Sequence, residues 1–263
     1  MSGEAKYWDQ VSEEWQMVRP QSLWRAHSDA VYTQLFGRWL PREPVQCLLK
    51  TDLFDEVHSE GLFLLLASRA DNVVGMDLSA MTSQAARVRY KALRGTQADT
   101  RSLPFADASF DVVVSNSTLD HFQSMAELIR SLGELYRVLR PAGQLLLSLD
   151  NLANPAIALR NAAPTGLLVR LGIIPYYVGA TCRPGELRSI LTGIGFDVAE
   201  LGAVMHHPSV VALAVARLLQ RHAKPRTQHR YLALLMSLER LSQWPTRFLT
   251  GHYVAARAVK RVC

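Results

Sequence analysis

The chain has 263 residues, 49% of them hydrophobic and 20% charged, which is enough apolar side chain to fill a sizeable core and too much for general disorder or a fibrous repeat. Three cysteines, Cys47, Cys182 and Cys263, are widely spaced and form no CxxC pair, so neither a disulfide framework nor a zinc knuckle is indicated. The net charge of +6 is uneven: Leu201–Cys263 holds ten Lys or Arg against the single acid Glu239, a net +9, so the first 200 residues are net −3 and the whole chain does not read as a nucleic-acid binder.

Residues 1–44 read as a helical cap, with Trp8, Trp15, Trp24 and Trp39 offering large apolar faces at non-strand spacing, until Pro41 and Pro44 break the pattern. The opening MSGEAKYWDQ carries acids and aromatics where a secretory leader needs a basic patch and an apolar run. No apolar stretch reaches the about 20 residues of a bilayer span, and a cytoplasmic location is expected. Val45–Leu49 has the make-up of a short buried strand, followed by a polar turn, Lys50–Ser59, and an apolar helix from about Glu60 to Arg69. Asn72–Met76 is a second buried strand ending at Asp77. Ser79 is placed to cap a helix running to Leu93.

Phe110–Val114 is a third strand, rich in β-branched residues. In Met125–Leu139, Leu128, Leu132, Leu135 and Leu139 recur at three-and-four spacing, which predicts an amphipathic helix stopped by Pro141 and Gly143. Gln144–Leu149 is a fourth strand. Asp150–Arg183, nearly free of acids and punctuated by Pro and Gly, predicts short lid helices over the sheet edge. A helix from about Pro184, a strand Phe196–Leu201, helices Val210–Leu219 and Tyr231–Leu241, and a last strand Tyr253–Val259 complete the chain.

Strands and helices in regular alternation, the strands almost continuously apolar, predict an α/β domain built on a doubly wound, mostly parallel sheet. It divides into the 1–44 cap, a 45–149 core, a 150–183 lid and a 184–263 continuation bearing basic helices. Ligands of such sheets bind beyond the carboxyl ends of the strands, which directs attention to Lys50–Glu56, Asp77–Ser79, Asp99–Arg101 and Ser115–His121.

Three segments, VVGMDLS (73–79), ADTRSLPFADASFDVVVSN (98–116) and ELYRVLRPAGQLLL (134–147), together resemble the core of the class I S-adenosylmethionine-dependent methyltransferases, in order and at the proper separations. The resemblance implies a Rossmann-like methyltransferase fold, S-adenosylmethionine as cofactor, and cofactor contacts at Lys50, Thr51, Asp52, Asp77, Leu78, Asp99, Thr100, Ser115 and Asn116. Asp77, at the end of the second strand, is implied to accept the ribose hydroxyls; its other reading is a helix cap, a task Ser79 already suits. Asp99 is implied to meet the adenine amino group, its other reading being a solvated loop acid.

The chain departs from that family after the first strand. A glycine-rich turn preceded by an acid is usual there, because backbone amides then approach the cofactor closely. Here CLLKTDLFDEVHSEG (47–61) puts Lys50 in the place of the acid and Thr51, Asp52, Leu53, Phe54, Asp55 and Glu56 in place of the glycines. Asp77 follows Lys50 by 27 residues, longer than usual by about a helical turn. Two readings stay open: a different grip on the methionine end, with Asp52 or Asp55 on the ammonium and Lys50 or Thr51 on the carboxylate, or a repurposed pocket in a non-catalytic protein. The acids with His58 match no metal motif and have an ordinary helix-capping explanation, so no metal is expected.

Methyl transfer from a sulfonium needs positioning and, for a hydroxyl or amine acceptor, a base. His121, after the third strand, is the candidate base, its alternative being a packed helix-start histidine. His206 and His207 are further candidates to face the site, and Tyr7, Trp8, Tyr176 and Tyr177 to line it. The apolar lid predicts an apolar small-molecule acceptor rather than nucleic acid. The C-terminal basic helices suggest a weak contact with a membrane surface, the alternative being buried helices with solvated arginines. Oligomeric state is not legible.

Overall fold

The computed structural model describes residues 3–18, 22–170 and 177–262. Helices α1 (Gly3–Val18) and α2 (Ser22–Trp39) precede β1 (Val45–Lys50), α3 (Phe54–His58), α4 (Phe63–Ala67), β2 (Ala70–Asp77), α5 (Ala80–Arg89), β3 (Arg94–Gln97) and β4 (Phe110–Asn116). A 3-10 turn, Leu119–His121, leads to α6 (Met125–Val138), β5 (Leu139–Asp150), α7 (Pro155–Ala162), α8 (Thr165–Arg170), α9 (Pro184–Ile194) and β6 (Phe196–Val204). Helices α10 (Ser209–His222), α11 (Pro225–Leu238) and α12 (Arg247–Thr250) lead to β7 (Tyr253–Lys260). No helix among the described residues is long and apolar enough to cross a membrane.

The strands form one sheet in the order β3-β2-β1-β4-β5-β7-β6. The first five are parallel, and β7 runs antiparallel between β5 and β6. Successive strand residues point to opposite faces, so Leu48 enters one core with Val31, Phe36 and Leu66, while Leu49 enters another with Leu132, Leu135 and Leu187. Both faces are therefore apolar, which is why the strands read as unbroken hydrophobic runs. Chain order reverses between β1 and β4, and this switch point opens a crevice at their carboxyl ends.

Several boundaries differ from the sequence-based expectation. The expected polar turn after β1 contains a helix, α3, which takes up the extra residues between Lys50 and Asp77, and the helix expected from about Glu60 to Arg69 is the shorter α4. Gly61 joins that region at φ +62°, where a Cβ would lie 2.8 Å from Glu56 Oε1, so the turn needs glycine. Helix α6 ends at Val138, ahead of Pro141 and Gly143 as expected, because Leu139 is already extended (φ −72°, ψ 139°), and β5 starts there rather than at Gln144. Strand β3, with the polar sequence RGTQ, was not expected at all. Of the lid, α7 and α8 are helical as expected; its 171–176 stretch lies outside the described residues, as does Cys263.

Candidate cofactor and acceptor site

The turn after β1 is organised by side-chain charge. Lys50 is 1% exposed, and its Nζ lies 2.8 Å from Glu56 Oε2, itself fully buried. It also donates to the Asp52 carbonyl. Burial alone would lower the Lys50 pKa, but Glu56, Asp52 and Asp55 raise it and keep the ammonium charged. Arg25 of α2 bonds Asp55 at 2.6 Å and lies over the Trp15 and Phe54 rings. His58 meets Ser12 Oγ of α1 at 3.2 Å. Lys50, expected to take a cofactor carboxylate, is thus turned inward and committed to Glu56; it does not line the cavity.

Asp52 and Asp77 meet at the carboxyl ends of β1 and β2. Asp52 Oδ1 accepts the Phe54 amide at 2.9 Å. Asp77 Oδ2 accepts the Leu53 amide at 3.1 Å and Oδ1 the Ser79 amide at 2.8 Å. Ser79 itself caps α5, accepting from the Thr82 amide, so Asp77 is not the cap. Burial, reinforced by the Asp52 charge, raises Asp77 to about 7. Burial also raises Asp52, to about 6, against the pull of Lys50. Two carboxyls in one low-dielectric corner resist joint ionisation and suit a ligand that brings positive charge or hydroxyl donors.

Beyond β3, Asp99 lines the cavity, but Arg101 claims both its oxygens, Nε at 3.0 and 3.1 Å and Nη2 at 2.7 Å. The same guanidinium pairs with Glu127 of α6 at 2.7 Å and with Glu4 of α1. It thereby ties α1 across the strand ends, where Ser79 Oγ also donates to Asp9.

At the end of β4, Ser115 is fully buried behind Thr51, whose hydroxyl donates to it at 3.0 Å. Asn116 follows, 4% exposed, with Oδ1 lacking a hydrogen-bond partner. Ser117 then adopts φ +50°, turning the chain toward His121. His121 Nδ1 lies 3.1 Å from the Tyr177 carbonyl, which can only accept. Nδ1 is therefore the donor of that bond, and Nε2 lies 4.0 Å from Asp120 Oδ1. The Trp8 ring packs 4.9 Å from the imidazole.

These parts enclose a cavity of about 470 Å³. Thr51, Asp52, Asp77, Leu78, Asp99, Thr100, Asn116 and His121 all line it; of the expected site residues, Lys50 and Ser115 do not. Tyr7, Trp8 and Tyr177 line it as expected, and Tyr176 lies outside the described residues. His206 and His207 do not reach it. His206 bonds Thr250 and the Ala203 carbonyl, and His207 packs between His27 and Trp24, where burial lowers its pKa to about 3. Sequence reasoning missed Trp24, Arg25, Ser28 and Tyr32 of α2, which form one wall, and Tyr253 at the start of β7. The apolar cover comes mainly from α1 and α2; Tyr177 is the one described residue of 150–183 that lines the cavity.

A methyltransferase-domain family profile matches residues 59–147. The "Probable S-adenosylmethionine-dependent methyltransferase" of Mycolicibacterium smegmatis is 27% identical over 194 residues, 73% of this chain and 66% of that protein. The demethylmenaquinone methyltransferase of Thermus thermophilus is 38% identical over 91 residues, 32% of this chain and 40% of that protein. The chain thus spans less than two thirds of these relatives' length. Among solved structures, a geranyl diphosphate methyltransferase with geranyl diphosphate and sinefungin superposes with a TM-score of 0.57 at 13% identity, over 87% of this chain and 78% of that one. Sheet order, matched profile and relatives agree in their likeness to the class I S-adenosylmethionine-dependent methyltransferases, with residues 59–147 matching the methyltransferase domain.

Proposed function

We propose that the chain transfers a methyl group from S-adenosylmethionine to an apolar small molecule. The observation that carries the reading is a single cavity with carboxyls at the β1 and β2 ends and aromatic rings from α1 and α2 opposite them. The residues fit the donor: the orphaned Asn116 Oδ1 and the raised pKa values of Asp52 and Asp77 mark polar groups whose partners a cationic, hydroxylated ligand would supply.

In this reading, residues 45–149 hold the donor and 1–44 cover it. Asp77 accepts the ribose hydroxyls, Leu78 packs beside them, and Asp52 receives the ammonium, with Thr51 and Asn116 completing the methionine end. The segment at Asp99 and Thr100 borders the adenine. When bound, the donor supplies an electrophilic methyl on a sulfonium. His121 Nε2 takes the acceptor's proton, while Trp8, Trp24 and Tyr32 exclude water and orient the acceptor. An apolar acceptor is supported by this aromatic wall and by two similar proteins whose names specify demethylmenaquinone and geranyl diphosphate.

Calorimetry with S-adenosylmethionine and S-adenosylhomocysteine is the test. Both should bind, and Asp77→Ala and Asp52→Ala should each weaken them. Unchanged affinity in both variants would overturn the placement of the donor on Asp52 and Asp77, and no binding to the wild type would overturn the reading in favour of a non-catalytic protein on the same fold.

A further inference from the structure

Helices α10 and α11 form a hairpin outside α2. Tyr231 Oη donates to the Ala212 carbonyl at 2.7 Å, and Gln228 Nε2 donates to the carbonyls of Leu219 and Ala223 at 3.2 and 3.1 Å, which locks the two helices antiparallel. Ala212, Ala216 and Leu235 are buried, and both helices pack on α2. The outward face is unlike a solvated one. Val210, Val211 and Leu218 of α10 are 69, 61 and 60% exposed, and Leu234 of α11 is 58% exposed. At about 100° per residue, Val210, Val211 and Leu218 share one side of α10.

The charges around that face have a single sign. Arg217, Arg221, Lys224, Arg226 and Arg230 lie in the hairpin, and no Asp or Glu occurs between Ser209 and Leu238. A helix face that lives in water usually interleaves acids with its cations at three-and-four spacing; this one has no acid to interleave.

We propose that this face docks on an anionic phospholipid bilayer. Side chains of Val210, Val211, Leu218 and Leu234 would leave water for the boundary between headgroups and acyl chains, while the arginines and Lys224 pair with lipid phosphates and carboxylates, their stems lying along the apolar surface. Both halves of the face are then used. A nucleic acid would engage the cations and leave the apolar side chains in water. Docking places α2, with Trp24 and Tyr32 of the cavity wall, directly behind the hairpin. A lipophilic acceptor would then enter from the bilayer; that consequence rests on the methyl-transfer reading, whereas the docking does not.

Co-sedimentation of the full chain with vesicles tests this. Vesicles of phosphatidylcholine containing a minority of phosphatidylglycerol should bind at least about tenfold more protein than phosphatidylcholine alone, and added salt should weaken the binding. The triple variant Arg221→Glu, Arg226→Glu, Arg230→Glu should abolish it. The double variant Val211→Asp, Leu218→Asp should reduce it about tenfold, with circular dichroism and calorimetric donor affinity unchanged in both. Equal binding to the two vesicle types, or wild-type binding by either variant, would overturn the proposal. So would a DNA duplex that binds more tightly than the anionic vesicles at the same salt. Because donor affinity is read separately, failure of the wild type to bind the donor speaks against the methyltransferase reading alone.

Discussion

Replacing Asp77 by Asn should make the donor-free protein respond differently to pH. Burial, together with the Asp52 charge, raises the Asp77 carboxyl from 3.8 to about 7. An acid whose pKa is higher in the folded than in the unfolded chain binds its proton more tightly when folded. The stability this contributes is complete below 3.8 and is lost as the pH rises through about 7. At about 1.4 kcal/mol per pH unit, tapering as the folded carboxyl becomes half ionised, the wild type should lose about 2 kcal/mol between about pH 5 and about pH 7 through Asp77 alone. Asparagine carries no such dependence. It has a cost of its own: the Ser79 and Leu53 amides each address a different Asp77 oxygen, and a carboxamide offers only one acceptor, leaving one amide unpaired for about 1–3 kcal/mol. The variant should therefore be the less stable protein near pH 5 and match or exceed the wild type near pH 8. Urea unfolding across that range, without donor, reads the crossing. Parallel stability profiles for the two proteins would refute the argument that burial of Asp77 is held in reserve for a ligand.

Three further outcomes follow from the same structure. Lys50→Met leaves Glu56 charged and buried, and should cost about 3–5 kcal/mol in chemical denaturation; Lys50→Met with Glu56→Gln should recover most of it, whereas a double variant as unstable as the sum of the singles would show that the two groups do not act as a pair. Gly179→Ala puts a Cβ 1.9 Å from the Phe122 carbonyl oxygen, in a crossing already fixed by Gly179 N–H to Asp120 O and Ala180 N–H to Phe122 O at 2.7 Å each; a melting temperature unchanged by the substitution would contradict the close approach, which should cost about 1–3 kcal/mol. Burial would raise Asp150, but His252 and Arg160 bring it down to about 2, so its contribution is present above 3.8 and fades as the pH falls toward 2. Asp150→Asn should therefore cost about 2 kcal/mol at neutral pH, with the difference shrinking in unfolding curves taken near about pH 3.

Much of the fold could be read from the chain because β1, β2, β4 and the end of β5 are buried on both faces, and that condition writes itself as uninterrupted Val, Leu and Met. Strand β3 escaped because an edge strand with one neighbour has no such requirement; Arg94, Gly95, Thr96 and Gln97 are held by their ladder to Val74–Asp77 rather than by apolar burial. Helix α3 escaped because FDEVH looks polar, although Glu56 is buried by its pairing with Lys50, a tertiary fact invisible to periodicity. In the site, the acids at strand ends were legible from topology. The α2 wall was not: Trp24 and Tyr32 line the cavity while Phe36 and Trp39 of the same helix fill the core, and composition cannot separate the two faces when both are aromatic. The charge of Lys50 suggested a ligand contact, but its partner six residues onward claimed it.

The glycine-poor turn after β1 can be understood through what its charges leave over. A glycine-rich turn offers backbone amides to a ligand because nothing projects between them. Here Glu56 is paired with Lys50 at 2.8 Å away from the cavity, while Asp55 is paired with Arg25 at 2.6 Å in the cavity wall. Asp52 lies 4.0 Å from the Lys50 ammonium and faces the cavity beside Asp77. The turn thus internalises one of its acids, pairs the second with Arg25 in the cavity wall and presents the third, so the surplus negative charge stands where β1 and β2 end. A ligand with a cationic end and vicinal hydroxyls relieves that surplus and lowers both carboxyl pKa values as it binds. Selection of the donor would then rest on side-chain charge where a glycine loop relies on close backbone approach, and affinity should rise with pH as Asp52 and Asp77 ionise.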